Sequence, residues 1–188
     1  MKIKIIVLLL ILLIITSCSS SSNIVKEKDL SKLSLKEAVT EYSRYDEKII
    51  NFFQGKVRVE SIYLTPKLIK RIQKELDDKI LKDKNIQFTL DNFNSSLFLV
   101  AFYTPNDKSN DLSKVKSVWN VSLKSDGKIY DSIEKIALTR RSSVFQFFFK
   151  NNQEFSRFYI IRFPKVSSKK IELIFSSMHM MLKNIWEF

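Results

Sequence analysis

The only histidine of the chain stands in a run of methionines, Met178 to Met181, and this run has the clearest chemical meaning in the sequence. Thioether and imidazole groups together suit Cu(I). Neighbouring residues of an extended strand point to opposite faces, however, so these four side chains converge on one ion only in an irregular loop. We therefore predict that His179 lies in a hairpin connection or beside core-filling methionines, and that the protein holds no metal or other cofactor.

Acid–base and nucleophilic chemistry finds little support in the residue types present. A Ser-His-Asp arrangement would depend entirely on His179, and a chain with 2 glycines has neither a Gly-x-Ser-x-Gly elbow nor a phosphate-binding loop. Carboxylates for acid–base work lie beside lysines or in turns, as solvated surface acids do. The candidates are Asp77–Asp78, Asp107 with Asp111, and Glu134. Segment 106–111 resembles a calcium loop but lacks the central glycine and terminal glutamate. We predict that the protein is not an enzyme.

A run of phenylalanines at 145–149 is the strongest candidate for a binding surface. In a strand, Phe145 and Phe147 share one face, and a further phenylalanine lies on the other. Two apolar faces imply either burial on both sides or a hydrophobic patch offered to a partner. Arg140 and Arg141 precede the run and would rim such a patch.

A targeting signal occupies the first eighteen residues. Lys2 and Lys4 come before an unbroken aliphatic run from Ile5 to Ile15, which is a basic n-region followed by a short h-region. The run is shorter than the roughly 20 apolar residues that a transmembrane helix needs. The residues Ile15-Thr16-Ser17-Cys18 resemble the bacterial lipobox, in which the cysteine receives diacylglycerol before cleavage.

This resemblance implies that residues 1–17 are a cleaved signal peptide and that Cys18 carries lipid, including palmitate. Residues 18–33 then form a flexible tether. The resemblance places the protein in the cell envelope as a membrane-anchored lipoprotein, and Ser19 favours the outer membrane, facing the periplasm or the cell surface. Because Cys18 is the only cysteine, the mature domain contains no disulfide.

Composition points to one aromatic-rich domain over residues 34–188. About 170 residues remain after cleavage, which is the size of a single domain with a substantial core. The core has 15 Phe, 6 Tyr and 2 Trp to draw on. The formal net charge of +12 is spread among acidic residues, so we predict no nucleic-acid partner.

Two helices are predicted ahead of the strands. Ser34 and Glu37 have the spacing of a capping box, and apolar residues then recur every three or four positions, which predicts a helix over 34–54. Thr65-Pro66 matches an N-cap followed by proline at the first helical position, which predicts a second helix over 66–82.

From residue 86 to residue 188 the apolar pattern has a period of two, which is typical of strands separated by turns. The run 97–103 predicts a central strand buried on both faces, and Asp126-Gly127 predicts a tight hairpin. A second hairpin is predicted from 144–150 and 155–163. About seven or eight short antiparallel strands favour a β-sandwich of the immunoglobulin-like type, so the predicted class is α+β, mainly β.

Several aromatic segments after residue 60 form a recognisable set. They are Phe98–Pro105, Asn110–Leu112, Trp119, Tyr159–Pro164 and Trp186. Over residues 60–188 this set resembles a group of uncharacterised bacterial lipoproteins, which implies no function. We predict a membrane-anchored, non-enzymatic binding or envelope-assembly module that engages an envelope protein through a sheet face or a loop end. The alternatives are a carrier of a lipid or other apolar ligand, between the sheets or under the helices, and an envelope hydrolase.

Overall fold

Nine strands and two α-helices make up the described part of the chain, which comprises residues 30–51, 55–75, 94–106, 111–138, 148–149 and 155–188 of a computed structural model. A short 3₁₀ helix, Leu30–Lys32, precedes α1 (Leu35–Tyr42), and α2 spans Pro66–Glu75. The strands are β1 (Ser43–Asn51), β2 (Gly55–Leu64), β3 (Ser95–Tyr103), β4 (Asn120–Ser125), β5 (Lys128–Asp131), β6 (Glu134–Leu138), β7 (Arg157–Pro164), β8 (Lys170–Ser176) and β9 (Met181–Glu187). Within these ranges, each helix is too short to cross a bilayer.

The strands form two sheets in which every pair is antiparallel. One sheet has the order β1-β2-β3-β7-β6 and the other has the order β5-β4-β8-β9. The predicted class, mainly antiparallel β with two helices, is confirmed, with nine described strands where seven or eight were expected. The architecture is consistent with a β-sandwich.

Aromatic rings fill the space between the two sheets. Phe98 of β3 lies 5.3 Å from Trp186 of β9, measured between ring centroids, and Phe102 stacks on Phe175 of β8 at 6.0 Å. These four side chains are fully buried. The Trp186 indole also donates a hydrogen bond of 2.7 Å to the backbone oxygen of Tyr42, which ties the end of α1 to the core.

The outer face of the five-stranded sheet is buried as well. Leu99 and Ile160 on that face are almost inaccessible, and Phe149 packs on Phe158 with ring centroids 5.5 Å apart. α1 packs against β2 and α2, whose apolar face is buried in the same core. The prediction that 97–103 is a central strand buried on both faces is therefore confirmed.

The first helix is much shorter than predicted. The capping box at Ser34 is present, with Glu37 as its partner, but α1 ends at Tyr42 and residues 43–51 form β1. Tyr45, one of the apolar residues whose spacing predicted this helix, is exposed, because β1 pairs with β2 at the edge of the sheet. The prediction of one helix over 34–54 was wrong after residue 42.

The second helix begins where predicted. Thr65 accepts a hydrogen bond at its side-chain oxygen from the Leu68 amide, and Pro66 occupies the first helical position. The structure describes α2 as far as Glu75, and residues 76–82 lie outside the described ranges.

One predicted hairpin is confirmed and the other is wrong. Asp126 and Gly127 form a two-residue turn with φ values of 49° and 77° between β4 and β5, as the Asp-Gly pair predicted. The predicted pairing of 144–150 with 155–163 does not occur, because β3 and β6 occupy both edges of β7. The described residues of 144–150 are also not strand, since Phe148 has a helical backbone.

Side chains, rather than a backbone ladder, join β1 of one sheet to β9 of the other. Arg44 donates from Nε to the Ile185 oxygen at 2.9 Å, and the Lys183 amide donates to Asp46 Oδ2 at 2.8 Å. On the opposite side the chain passes directly from β5 in one sheet to β6 in the other. These two links fix how the sheets face each other.

The two ends of the domain differ in character. At the helix end, α1 leads into β1 and β2 leads into α2. At the loop end lie the two described parts of the connection between β3 and β4, Thr104–Asn106 and Asp111–Trp119, and the connection between β8 and β9, Ser177–Met180. A ten-residue strand such as β2 separates the two ends by roughly 30 Å.

Candidate ligand groove at the loop end

An open groove of about 870 Å³ lies at the loop end, where five segments of the chain meet. Its floor is formed by buried side chains, notably Val57 and Trp119, and its rim by the exposed Val118 and Met178. The full lining is Ile50, Val57, Thr104, Pro105, Asn106, Val118, Trp119, Ser177, Met178, His179 and Met180. This volume and mainly apolar lining with a few polar groups are typical of sites for small organic ligands.

Strand ends position the groove residues. Trp119 directly precedes β4 and packs edge-on against Phe102 at 5.2 Å, so the core holds the indole in place. Gly55 opens β2 with a φ of 87°, a left-handed conformation that suits glycine, and a methyl group added there would lie 3.6 Å from the ring of Pro105. The hairpin between β1 and β2 thereby approaches the segment that follows β3.

The connection between β8 and β9 carries the Met-His run. The Ser177 amide donates to the Met180 oxygen at 2.8 Å, which closes the turn and places Met178 and His179 at its tip. The Met178 side chain is 91% exposed. The prediction that His179 lies in a hairpin connection is confirmed. Among the described residues, no cluster of three or more His, Cys, Asp or Glu side chains could hold a metal ion.

The loop that carries Val118 to the groove is anchored at Asp111. The Ser113 amide and hydroxyl donate to Asp111 Oδ1 at 3.0 and 2.6 Å, and Arg157 Nη1 lies 3.2 Å from Asp111 Oδ2. The Leu112 amide donates to the Tyr159 hydroxyl at 3.2 Å. Because Arg157 and Tyr159 belong to β7, one wall of the groove is held by the five-stranded sheet.

The electrostatics of this anchor are those of a structural contact. Burial raises the pKa of Tyr159 to about 12, so its hydroxyl stays protonated. Burial also pushes the pKa of Asp111 upward, but the two hydrogen bonds from Ser113 and the charge of Arg157 outweigh it, and the net pKa is lowered. Asp111 is therefore ionised at neutral pH.

Acid will weaken this anchor. A carboxyl with a lowered folded-state pKa contributes stability above its ordinary value of 3.8, and that contribution is lost as the pH falls through the folded-state value. We expect Asp111→Asn to lower the free energy of unfolding by about 1 kcal/mol at pH 7. At low pH the free energies of unfolding of the variant and the wild type should become equal. Urea unfolding across the acid range measures both curves. Asp131→Asn, on the exposed edge of β5, is the control. Parallel curves for Asp111→Asn and wild type would contradict the assignment.

The two candidate carboxylates that the structure describes, Asp111 and Glu134, do not come together. Glu134 pairs with Arg162 at 2.9 Å at the helix end, whereas Asp111 lies at the loop end. Asp77–Asp78 and Asp107 lie outside the described residues. The same holds for the predicted binding residues Phe145, Phe147, Arg140 and Arg141, and for Cys18, the predicted site of lipidation.

Sequence reasoning did not assemble the groove. The Met-His run was weighed as a metal site and predicted to be a hairpin connection or core-filling, and Trp119 entered only through the family resemblance. The signal available was the presence of a lone histidine and several methionines in a predicted connection, which favours an exposed apolar loop. Comparison of the chain with protein-family models, with curated proteins and with solved structures finds no significant match.

Proposed function

We propose that this chain is a non-enzymatic binding module, tethered to a membrane through lipid on Cys18, that binds its ligand or partner at the loop end. The observation that carries the proposal is the open apolar groove together with its exposed rim. Val118 and Met178, which line it, expose 59% and 91% of their surface, and Val115, in the same loop as Val118, exposes 103%. Large apolar side chains gathered round a concavity are typical of interaction sites rather than of ordinary surface.

The position of the tether supports this orientation. The described chain begins with Leu30 beside α1, at the helix end, so a lipid at Cys18 would enter from the side opposite the groove. The groove would then face away from the bilayer and towards other envelope components. The proposal includes an outer-membrane location, facing the periplasm or the cell surface, and an immunoglobulin-like arrangement in which the loops at one end bind.

The two alternatives are less well supported. A carrier that shelters an apolar ligand between the sheets would need space that Phe98, Phe102 and Trp186 fill. A hydrolase would need convergent carboxylates, and Asp111 and Glu134 lie at opposite ends of the domain.

Site-specific photocrosslinking in the native envelope tests the proposal. A photoreactive residue in place of Val115, in the full lipidated chain, is expected to give one dominant adduct. The matched control replaces Ile129, which is 67% exposed but lies on β5 near the helix end. Equal adducts from both positions, or none from Val115, would contradict a binding surface at the loop end.

A further inference from the structure

The loop end carries an excess of positive charge. The charged residues at this end lie within residues 46–51, 55–59, 102–106, 111–121, 157 and 175–183 of the described chain, which reach one common level of the paired strands. The cations there are Lys48, Lys56, Arg58, Lys114, Lys116, Arg157 and Lys183, and the carboxylates are Asp46, Glu47 and Asp111. Seven cations therefore stand against three carboxylates, which favours an anionic ligand.

Asp46 accepts a hydrogen bond from the Lys183 amide, and the other two carboxylates have cationic partners. Glu47 accepts hydrogen bonds from Lys56 at 2.8 Å and from Arg58 at 3.2 Å, and Asp111 pairs with Arg157. The hydrogen bonds from Lys56 and from the Tyr45 hydroxyl lower the pKa of Glu47 to about 2, so it stays ionised.

Two lysines beside the groove are not neutralised in this way. Lys48 lies two residues before Ile50 on β1, and Lys116 lies two residues before Val118. Neither lysine forms an ion pair within the described part of the chain. Lys48 is the cross-strand neighbour of the groove-lining Val57, and both lysines are exposed, so two charges without a carboxylate partner lie close in the chain to the groove lining.

The groove itself has a different chemistry from its rim. It is lined by no Lys, Arg, Asp or Glu among the described residues, and its only titratable side chain is His179. The apolar lining includes Met178 and Met180, whose unbranched side chains adapt to flexible apolar ligands. An apolar cleft with a cationic rim matches a molecule that has an apolar chain and an anionic head.

We propose that the groove binds a single-chain anionic amphiphile of the fatty-acid type. The alkyl chain of the ligand would lie against Val57 and Trp119, and its carboxylate would face Lys116 and Lys48. This inference rests on the proposed function, because it assigns a ligand class to the same groove. The groove volume of about 870 Å³ falls within the range of small-molecule sites and can accommodate a fatty acid.

Trp119 provides a direct test, since the chain contains 2 tryptophans and the other, Trp186, is fully buried in the core. A dibrominated C18 fatty acid, kept below its micelle concentration, should quench Trp119 fluorescence saturably with one site per chain. In Trp119→Phe the remaining emission of Trp186 should be quenched far less. A fatty acid shorter by two methylenes should bind about fifteenfold more weakly at most.

Charge variants and a neutral probe separate the contribution of the ligand's anionic head to binding from that of its alkyl chain. The brominated methyl ester should bind more weakly than the acid at low salt, and Lys116→Glu should weaken the acid by about tenfold while leaving the ester unchanged. Lys128→Glu, an exposed position on β5, is the control and should change neither. Because Lys116 is on the surface, Lys116→Glu keeps the test valid if Trp119→Phe is unstable.

Each remaining outcome overturns the inference. Equal affinity for the acid and the ester would show that the carboxylate does not contribute to binding, which contradicts an anionic ligand. Quenching only by vesicles of brominated phospholipid would mean that the loop end touches a bilayer surface. No quenching by either probe, together with a protein adduct from Val115, would leave the proposed binding surface standing and exclude this ligand class.

Discussion

Replacing Trp186 with alanine is expected to lower the free energy of unfolding by about 3–5 kcal/mol, which is the usual cost of removing a large aromatic side chain from a core. Trp186 is fully buried, with Phe98 at 5.3 Å and Tyr63 at 6.2 Å between ring centroids. The change also removes the hydrogen bond to the Tyr42 oxygen, which would leave a buried acceptor unpaired. Urea unfolding followed by circular dichroism measures the loss without relying on tryptophan emission.

Two further variants separate ring packing from the hydrogen bond. Trp186→Phe keeps most of the apolar contact and loses the N–H donor, so we expect an intermediate cost of about 1–3 kcal/mol. Met181→Ala lies on the same strand but is half exposed, and it should change stability by no more than about 0.5 kcal/mol. A cost below about 1 kcal/mol for Trp186→Ala would show that the two sheets do not pack through this ring.

Short local signals, the helix caps and the tight turn, were the part of the fold that the sequence predicted well. Ser34 with Glu37, Thr65 with Pro66, and the Asp126-Gly127 pair each define a helix start or a turn within four residues. Such signals need no knowledge of the tertiary structure, because the partners are neighbours in the chain.

Pairing with strands far away in sequence determines the conformation of the segment that was wrongly predicted to be helical. Tyr45 and Ile49 have helical spacing with the residues before them, yet they are 43% and 61% exposed on β1. The edge of β2 supplies backbone partners for that segment, and Arg44 and Asp46 reach β9. A periodic pattern cannot reveal these partners, since they lie far away in sequence.

The groove was out of reach for the same reason. Its lining comes from five segments between Ile50 and Met180, and none of the residue types carries a signature of binding. Only the fold shows that the turn holding Met178 faces the loop leading to Trp119. The cationic rim is similarly invisible in a chain where lysine is common throughout.

The segment between Cys18 and the described domain sets how far the domain can stand from a lipid attached to Cys18. Residues 18–29 reach at most about 40 Å when extended, which is comparable to the domain itself. The segment joins the domain at Leu30, and the capping box at Ser34 starts α1 from residues on its own side of that junction. We therefore expect α1 and the sheets to fold without the predicted anchor.

Replacing Cys18 with serine is accordingly expected to abolish lipid attachment and leave the fold intact. Cys18 is the only cysteine in the chain, so no other thiol can accept the lipid. Incorporation of labelled palmitate should fall from its wild-type level to background, while the circular dichroism spectrum and thermal unfolding of the domain stay unchanged. Ser20→Ala, which leaves the lipobox cysteine in place, should be labelled normally. Label retained in Cys18→Ser would contradict lipidation at this residue, and loss of the strand signal would show that the tether and the domain are not separate units.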